Sequence, residues 1–469
     1  MWTGAGQVLR QLAQIVSQLV LVRLLAPDDF GLLGMAMFFV GVGQLLVDFG
    51  IGSALVQSGD EDRVLISSCF WLGMAVAAVL MLLTLACSPL IAAFYKRDDL
   101  APLVAVLSLN LLLSGLQVVP SALLYRDMRF ADLARAQVLA TLLAAVVAIA
   151  MASSNAGVWA LVAQPLVGGA VVLCLYAVAA KWRPGFEFSW PLVAPLARFS
   201  AALLGTSLLG YASRNVDGLL IGRTLGAGPL GHYSMAIQLM LYPLQQVSSV
   251  IVRVLFPTLV HLKDDLPRLR TAYMKAVGTI ALLTFPIMGG LFSLADNFVL
   301  VAFGPSWNEM APVLKVLAWV GMLQSIGTTV GTIYLSTNNL KIALRVTLFA
   351  TPVFIGGMAV GLPWGIFGVA LGYAVATFFV SVYTFITAFK VIKLNLGDFV
   401  STVARPFLST VIMIIILMIS IRTLNTFSPM LQLGASIGLG IVSYAIASII
   451  INRDQLNEVV QILRKLRAK

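Results

Sequence analysis

The chain has 469 residues, is 60% hydrophobic and 10% charged, and has a mean hydropathy of +0.98 and a formal net charge of +11. Such apolarity excludes a soluble globular domain and predicts an all-α polytopic membrane protein. The apolar segments are helix-length, which excludes the alternating ten-residue strands of an outer-membrane barrel. The positive charge is partitioned by membrane side, which argues against nucleic acid as a partner.

Fourteen apolar segments are expected, at about 4–25, 31–57, 65–95, 101–124, 132–152, 156–180, 199–222, 229–260, 272–303, 310–336, 341–361, 364–389, 402–422 and 428–451. With the N-terminus inside, 21 of the 30 Lys and Arg residues fall in inner loops and the tail, 6 in outer loops, and Arg10, Arg214 and Arg253 inside spans. That asymmetry predicts that both termini are cytoplasmic. The three cysteines lie in apolar spans and read as packing residues. His232 and His261 fall near opposite faces and cannot share a site. No cleavable signal is expected, since the first span is glutamine-rich and lacks a basic leader and an A-x-A site.

Taken in order, the first span is polar: Gln7, Arg10, Gln14 and Ser17 recur at three- and four-residue spacing as one stripe. The second carries Gln44 and Asp48 and ends in the small residues Gly50-Ile-Gly52-Ser53. The fourth carries Asn110, Ser114, Gln117 and Ser121, and the loop Tyr125 to Phe130 reads as a membrane-surface elbow. Lys181 to Arg198 has three prolines and four aromatics and reads as a cytoplasmic interfacial linker. The seventh span contains Tyr211, Arg214 and Asp217. A charge at a helix centre costs roughly 2.5–3.5 kcal/mol on insertion scales. Arg214 and Asp217, three apart, share a face, so they either neutralise each other or face something charged. The eighth span has Gln238, Tyr242, Gln245, Ser249 and Arg253, and the tenth has Gln324 and Thr328. Spans 13 and 14 hold no embedded charge and read as lipid-facing additions. The segment after Asn452 reads as an interfacial amphipathic helix.

The second half repeats the first. At an offset of 200, Val22-Arg23 matches Gly222-Arg223, Gly31 matches Gly231, and Met35-Ala36 matches Met235-Ala236. At 210, Ala101-Pro102 through Val106-Leu107 matches Ala311-Pro312 through Val316-Leu317; at 208, Gly157-Val158-Trp159 matches Gly365-Ile366-Phe367. Each copy has six spans, an even number, so both enter the membrane the same way round, a parallel pseudo-twofold repeat. The expected organisation is a six-helix lobe (1–180), a linker (181–198), a second six-helix lobe (199–392), two further helices (393–452) and a cytoplasmic tail (453–469). A polar cavity between the lobes would bring Arg10, Asp48, Arg214, Asp217 and Arg253 to its wall. These sum to +1, which suits an anionic ligand.

Four stretches together resemble the Wzx-type oligosaccharide flippases, the WzxC-like branch of the multidrug/oligosaccharidyl-lipid/polysaccharide superfamily. They are Arg23-Leu-Leu-Ala-Pro27-Asp-Asp29-Phe30-Gly31, Asp48-Phe49-Gly50-Ile-Gly52-Ser53-Ala-Leu-Val-Gln57, Arg214-Asn215-Val-Asp217 through Gly222-Arg223, and Arg253-Val-Leu-Phe256-Pro257. The resemblance implies two six-helix lobes around a central cavity, often with two C-terminal helices. It implies translocation of polyprenyl-pyrophosphate-linked oligosaccharide from the cytoplasmic to the outer leaflet of the bacterial inner membrane. Members usually carry several residues before the first span, whereas here Met1-Trp2 stands almost in it, so a start upstream or a missing tail is expected. For such a substrate, Arg10, Arg214 and Arg253 are the expected phosphate-side cations. Gln14, Tyr211 and Gln245 are expected on sugar hydroxyls. Asp48 and Asp217 are expected to orient the arginines, and Asp217 alternatively binds a coupling Na⁺ or H⁺. No cofactor or metal is expected; the drive is an ion gradient or the membrane potential. Membrane lipids and a polysaccharide polymerase or assembly protein are the expected partners.

Two rivals are weighed. An ion-coupled multidrug or small-molecule antiporter of the same superfamily predicts an acidic cavity, against the arginine excess. A membrane polymerase or ligase needs a sizeable outer domain, against short outer loops such as Ser153-Ser154-Asn155. No nucleotide-binding G-x-x-x-x-G-K-[ST] loop is present, which excludes ATP hydrolysis by this chain.

Overall fold

A computed structural model of the chain describes residues 2–48, 52, 55, 62–424, 427–453 and 455–456. The side chains of 2–5, 48, 195–207, 209, 213 and 214 lie outside the description. The expected amphipathic tail falls almost wholly beyond it. Among the described residues the structure is helical: α1 (Trp2–Leu24), α2 (Pro27–Asp48), α3 (Arg63–Tyr95), α4 (Leu100–Leu107), α5 (Leu109–Arg126), α6 (Phe130–Ser153), α7 (Val158–Ala180), α8 (Trp190–Thr224), α9 (Ala227–His261), α10 (Leu266–Ala302), α11 (Met310–Gly327), α12 (Val330–Ser336), α13 (Leu340–Gly361), α14 (Gly365–Ile392), α15 (Leu396–Thr423) and α16 (Pro429–Ile451). Eleven described segments are long and apolar enough to cross a membrane, and one of them, Leu340–Ile392, contains both α13 and α14. The glutamine-rich α1 and the Arg- and Asp-bearing α8 are not among the eleven. The chain is a multi-pass membrane protein.

Lipid offers no partner to a backbone N–H, so helices of this length are the local solution, and their ends are capped where they meet water. Asp62 accepts from Val64 N at 2.9 Å, Asp265 from Arg268 N at 3.2 Å and Asn395 from Gly397 N at 3.0 Å. Three expected boundaries shift. The fourth and tenth spans are each broken, at Ser108 and at Thr328-Thr329, where hydroxyls bond back to the Ala105, Ser325 and Ile326 carbonyls and loosen the helix ladder. Helix α8 begins at Trp190, with Pro191 in its first turn, so half of the stretch read as linker is helix.

Contacts divide the chain into two compact units, Met1–Gly231 and His232–Lys469. In the first, α3 packs on α5, α5 on α7, and α6 on both α1 and α7. The alanines Ala136, Ala140, Ala144, Ala148 and Ala152 bury one face of α6 at every fourth residue. In the second, α10 packs on α11, α11 on α14, and α13 on α14, the same pairings one copy later. Helices α15 and α16 then pack against α10 and each other.

The backbone repeats where the sequence does. Left-handed residues end equivalent helices: Lys96 (φ 57°) and Gly304 (φ 100°), Met128 (φ 54°) and Asn338 (φ 57°), Lys181 (φ 51°) and Lys393 (φ 52°). Gly157 (φ 56°) and Gly365 (φ 70°) open α7 and α14. Burial follows the same register, with Met35 and Met235, Ala36 and Ala236, Leu103 and Val313, Val104 and Leu314, and Leu107 and Leu317 all buried. Within the first unit the two repeated turns also touch reciprocally. A Cβ on Gly31 would strike the Ala227 carbonyl, and one on Gly231 the Pro27 carbonyl, so both positions require glycine. Since 27 pairs with 227 and 31 with 231, this is the exchange that a twofold between the two turns produces.

Candidate functional site

The second unit holds a cavity of about 490 Å³ built by three helices that carry polar stripes. Helix α9 supplies Gln245, Ser248 and Ser249, α11 supplies Gln324 with Thr328 just past its end, and α14 supplies Thr377, Ser381 and Thr384; Leu241, Leu244, Val252 and Val380 make the rest of the wall apolar, and Phe354 and Phe385 add aromatic faces. Each stripe follows helical spacing, so several polar groups project from one side of each helix. The Thr328 hydroxyl donates to the Ser325 carbonyl at 2.7 Å and Thr377 to the Tyr373 carbonyl at 2.8 Å, which leaves their oxygens as acceptors. Gln324 Nε2 donates to the Tyr373 hydroxyl at 2.5 Å. Gln245 is exposed and makes no hydrogen bond among the described residues. No charged side chain lines the cavity among those residues. A largely apolar wall with two rings and a few amides and hydroxyls, without fixed charge, suits a neutral group that presents both apolar faces and hydroxyls.

Behind the wall a buried relay fixes α11. Thr284 donates to Ser325 Oγ at 2.9 Å and Ser248 to the Ser325 carbonyl at 3.4 Å. The Tyr273 hydroxyl donates to Thr329 Oγ1 at 3.1 Å. Such bonds hold membrane helices together where lipid gives no hydrophobic drive.

Of the expected site residues, Gln245 lies on this cavity, and the stripe Gln324 and Thr328 meets it there. Arg253 shares its helix at i+8, about 12 Å along the axis from Gln245, and is exposed. The other expected residues belong to the first unit. Arg10 Nη1 donates to Gln137 Oε1 at 2.8 Å, and Gln137 Nε2 in turn to the Tyr176 hydroxyl at 3.2 Å; Arg10 Nε is buried without a partner. Gln14, one turn on, is exposed. Tyr211 is a packing residue: its hydroxyl donates to the Phe38 and Met37 carbonyls at 3.2 and 3.3 Å, and its ring lies against Phe38 and fills the space beside Gly41. Asp217 Oδ1 accepts from Gly218 N at 2.9 Å. The side chains of Asp48 and Arg214 lie outside the described residues, so the Arg214–Asp217 pair is not described.

Ser248, Thr377, Ser381 and Thr384 are site residues that the sequence reading passed over. The last three stand at i, i+4 and i+7, a stripe readable in principle but masked by the apolar residues around it. The fourth-span stripe of the first unit is spent on packing at two of its positions. Asn110 is buried, and Gln117 Nε2 donates to the Gly169 carbonyl at 2.9 Å.

Three likenesses bear on this arrangement. The lipopolysaccharide biosynthesis protein WzxC of Escherichia coli (strain K12) is 29% identical over 85% of this chain and 81% of its own length. The teichuronic acid biosynthesis protein TuaB of Bacillus subtilis (strain 168) is 28% identical over 94% of this chain and 93% of its own. The fold matches the lipid II flippase MurJ in its inward closed conformation with a TM-score of 0.76, at 15% identity, over 97% of this chain and 99% of that one. Residues 20–312 match the polysaccharide biosynthesis protein family, and with that span, the two-unit helical fold and the duplicated motifs, the chain belongs to that family.

Proposed function

We propose that this protein carries polyprenyl-pyrophosphate-linked oligosaccharide from the cytoplasmic to the outer leaflet of the bacterial inner membrane, by alternating access. The observation that carries the reading is the uncharged cavity around Gln245 and Gln324, whose largely apolar wall carries amides, hydroxyls and two aromatic rings. A sugar presents donors and acceptors without charge, and such a wall answers both. The pyrophosphate needs separate cations, and Arg10, Arg214 and Arg253 fill that role. Arginine stays protonated and its planar fork matches phosphate oxygens. The 21-to-6 distribution of Lys and Arg supports cytoplasmic termini. Asp217 is the proposed site for a coupling Na⁺ or H⁺, with the membrane potential as a further drive. A polysaccharide polymerase is the proposed assembly partner.

The test is translocation in proteoliposomes, with the lipid-linked oligosaccharide loaded in one leaflet and its arrival in the other followed. Wild type transports; Arg214→Ala loses transport, and Gln245→Ala with Gln324→Ala slows it, each with unchanged folding. A wild type that ignores this lipid and instead exchanges organic cations for Na⁺ or H⁺ makes the antiporter the correct account.

A further inference from the structure

Arg10 carries a charge into the first unit with no counter-ion on the helices around it. Helix α1 packs along α6, and α6 along α7. Helices α1 and α7 contain no acidic residue, and α6 contains one, Asp132. Asp132 is already held by Arg129 at 2.6 Å and by Arg135 at 3.7 Å. Gln137, which meets Arg10, stands about 10 Å along α6 from its first residue, Phe130. An arginine at that depth is costly, and it persists where it serves a partner or a ligand. Arg10 does not simply snorkel to water, because Nη1 is tied to Gln137 and Nε is buried.

The polarity of these contacts is forced. A guanidinium only donates, so Gln137 turns Oε1 to Arg10, at 2.8 Å from Nη1. Its Nε2 then faces Tyr176 and donates to that buried residue's hydroxyl at 3.2 Å. Tyr176 thereby fixes which end of the amide meets the arginine. The guanidinium is held by one corner. Nε is buried without a partner, and Arg10 makes no further hydrogen bond or ion pair among the described residues. Nε–H and one Nη2–H point the same way, on the edge away from Nη1, and that edge is the fork that meets two phosphate oxygens with parallel bonds. A buried charged donor is expensive to leave unmade, so the open edge calls for an anionic acceptor. An amide opposite Nη1 orients the arginine without neutralising it; a carboxylate there would do both.

We propose, on the basis of the transported lipid named above, that the Nε–Nη2 edge of Arg10 takes two oxygens of its pyrophosphate, and that Gln137 and Tyr176 are positioning residues that hold this edge open. Arg10 touches the phosphate, and the other two act through it. Position 137 needs a neutral acceptor, since a carboxylate closes on the guanidinium and competes with the ligand.

The full chain, purified in detergent, is titrated with polyprenyl pyrophosphate lacking sugar, with binding read by native mass spectrometry and stability by thermal unfolding. Gln137→Glu keeps the side chain's size and its bond to Nη1. It weakens binding about tenfold, the worth of one charged hydrogen bond, without lowering the unfolding temperature. Tyr176→Phe frees the amide to turn and weakens binding about threefold. A Gln137 that only joins α1 to α6 predicts the opposite for Gln137→Glu, a firmer helix pair and unchanged binding. Wild-type affinity in Gln137→Glu, beside a wild type that transports the lipid-linked oligosaccharide in proteoliposomes, overturns this inference and leaves the proposed function standing. A wild type that neither binds the pyrophosphate nor transports overturns both. Where Gln137→Glu does not fold, Tyr176→Phe decides, and wild-type affinity in that variant overturns the positioning role. Displacement of the pyrophosphate by an equal amount of phosphatidylglycerol gives the edge to a resident phospholipid and overturns the substrate assignment.

Discussion

In the first unit α5 meets its neighbours through glycine. A Cβ on Gly115 would strike Ala77 Cβ and lie 3.1 Å from the Gly73 carbonyl, and Gly169 of α7 lies close enough for Gln117 to bond its carbonyl at 2.9 Å. At the equivalent place in the second unit, Ser325 replaces Gly115 and Thr377 replaces Gly169. There α11 is spaced from α10 by the Thr284–Ser325 hydroxyl bond, and α9, α11 and α14 leave a cavity of about 490 Å³. One skeleton therefore joins equivalent helices by close backbone approach in one copy and by hydroxyl bonds beside a cavity in the other. Small residues let backbones meet, whereas hydroxyl-bearing residues hold them apart and line what remains. The ends of the units beside these repeated turns differ in kind too. In the first unit Arg97 bridges Asp28 and Asp99 at 2.9 and 2.7 Å, whereas in the second His232 bonds the Ser306 carbonyl at 3.0 Å and packs edge-on against Trp307.

The contrast is broken most strongly at Gly115. Gly115→Leu forces α3 and α5 apart and costs about 3 kcal/mol of stability by overpacking. Ser325→Gly, its counterpart, costs under ~1 kcal/mol, the worth of one membrane hydrogen bond. Denaturant unfolding in detergent compares the two, and equal losses would mean that the seams are not built differently. Next comes the division of labour between two glutamines. Gln324→Ala lowers transport roughly tenfold, about 1.4 kcal/mol, with little loss of stability. Gln117→Ala leaves transport within about twofold and destabilises instead, since the Gly169 carbonyl loses its donor. A transport loss with Gln117→Ala as deep as with Gln324→Ala would show that both copies offer substrate contacts. Tyr211→Phe sharpens the same point: it gives up the bonds to the Met37 and Phe38 carbonyls, costs about 1 kcal/mol in unfolding experiments, and leaves transport intact.

The smallest effect lies at the Arg97 tie. Hydrogen bonding from Arg97 holds the Asp99 carboxyl below the ordinary carboxylate range. This stabilisation is fully present above the unfolded value of about 3.9 and is lost as pH falls through the lowered folded value. With Arg97 35% and Asp99 50% exposed, solvent screening keeps it below ~1 kcal/mol. Arg97→Gln therefore lowers the neutral plateau by under ~1 kcal/mol and flattens the acid limb, along which the wild type loses this stabilisation. An unchanged acid limb in that variant would remove Asp99 from the account.

The order of helices, the repeat and its register were legible in the sequence. A bilayer obliges each span to satisfy its own backbone, so apolar length alone announces a helix, and a duplicated chain marks its copies with the same turns. Gly157 and Gly365 are an instance, aligned at an offset of 208 and both at positive φ. The polar stripes were equally visible; their fates were not. Gln117 and Gln324 read alike in the sequence, each a glutamine on a stripe of a broken span. Tyr211 reads as a sugar ligand beside Arg214, yet its ring seals against Gly41 and Phe38. Whether a polar side chain meets a glycine backbone, a tyrosine hydroxyl or open space depends on how near the facing helix comes. That distance is set by residues 41 to 52 positions away, such as Gly73 for Gly115, Thr284 for Ser325 and Gly169 for Gln117. Composition and period fix what each helix offers along its own axis. The depth of approach between helices is a property of pairs of faces, and only the folded chain decides it.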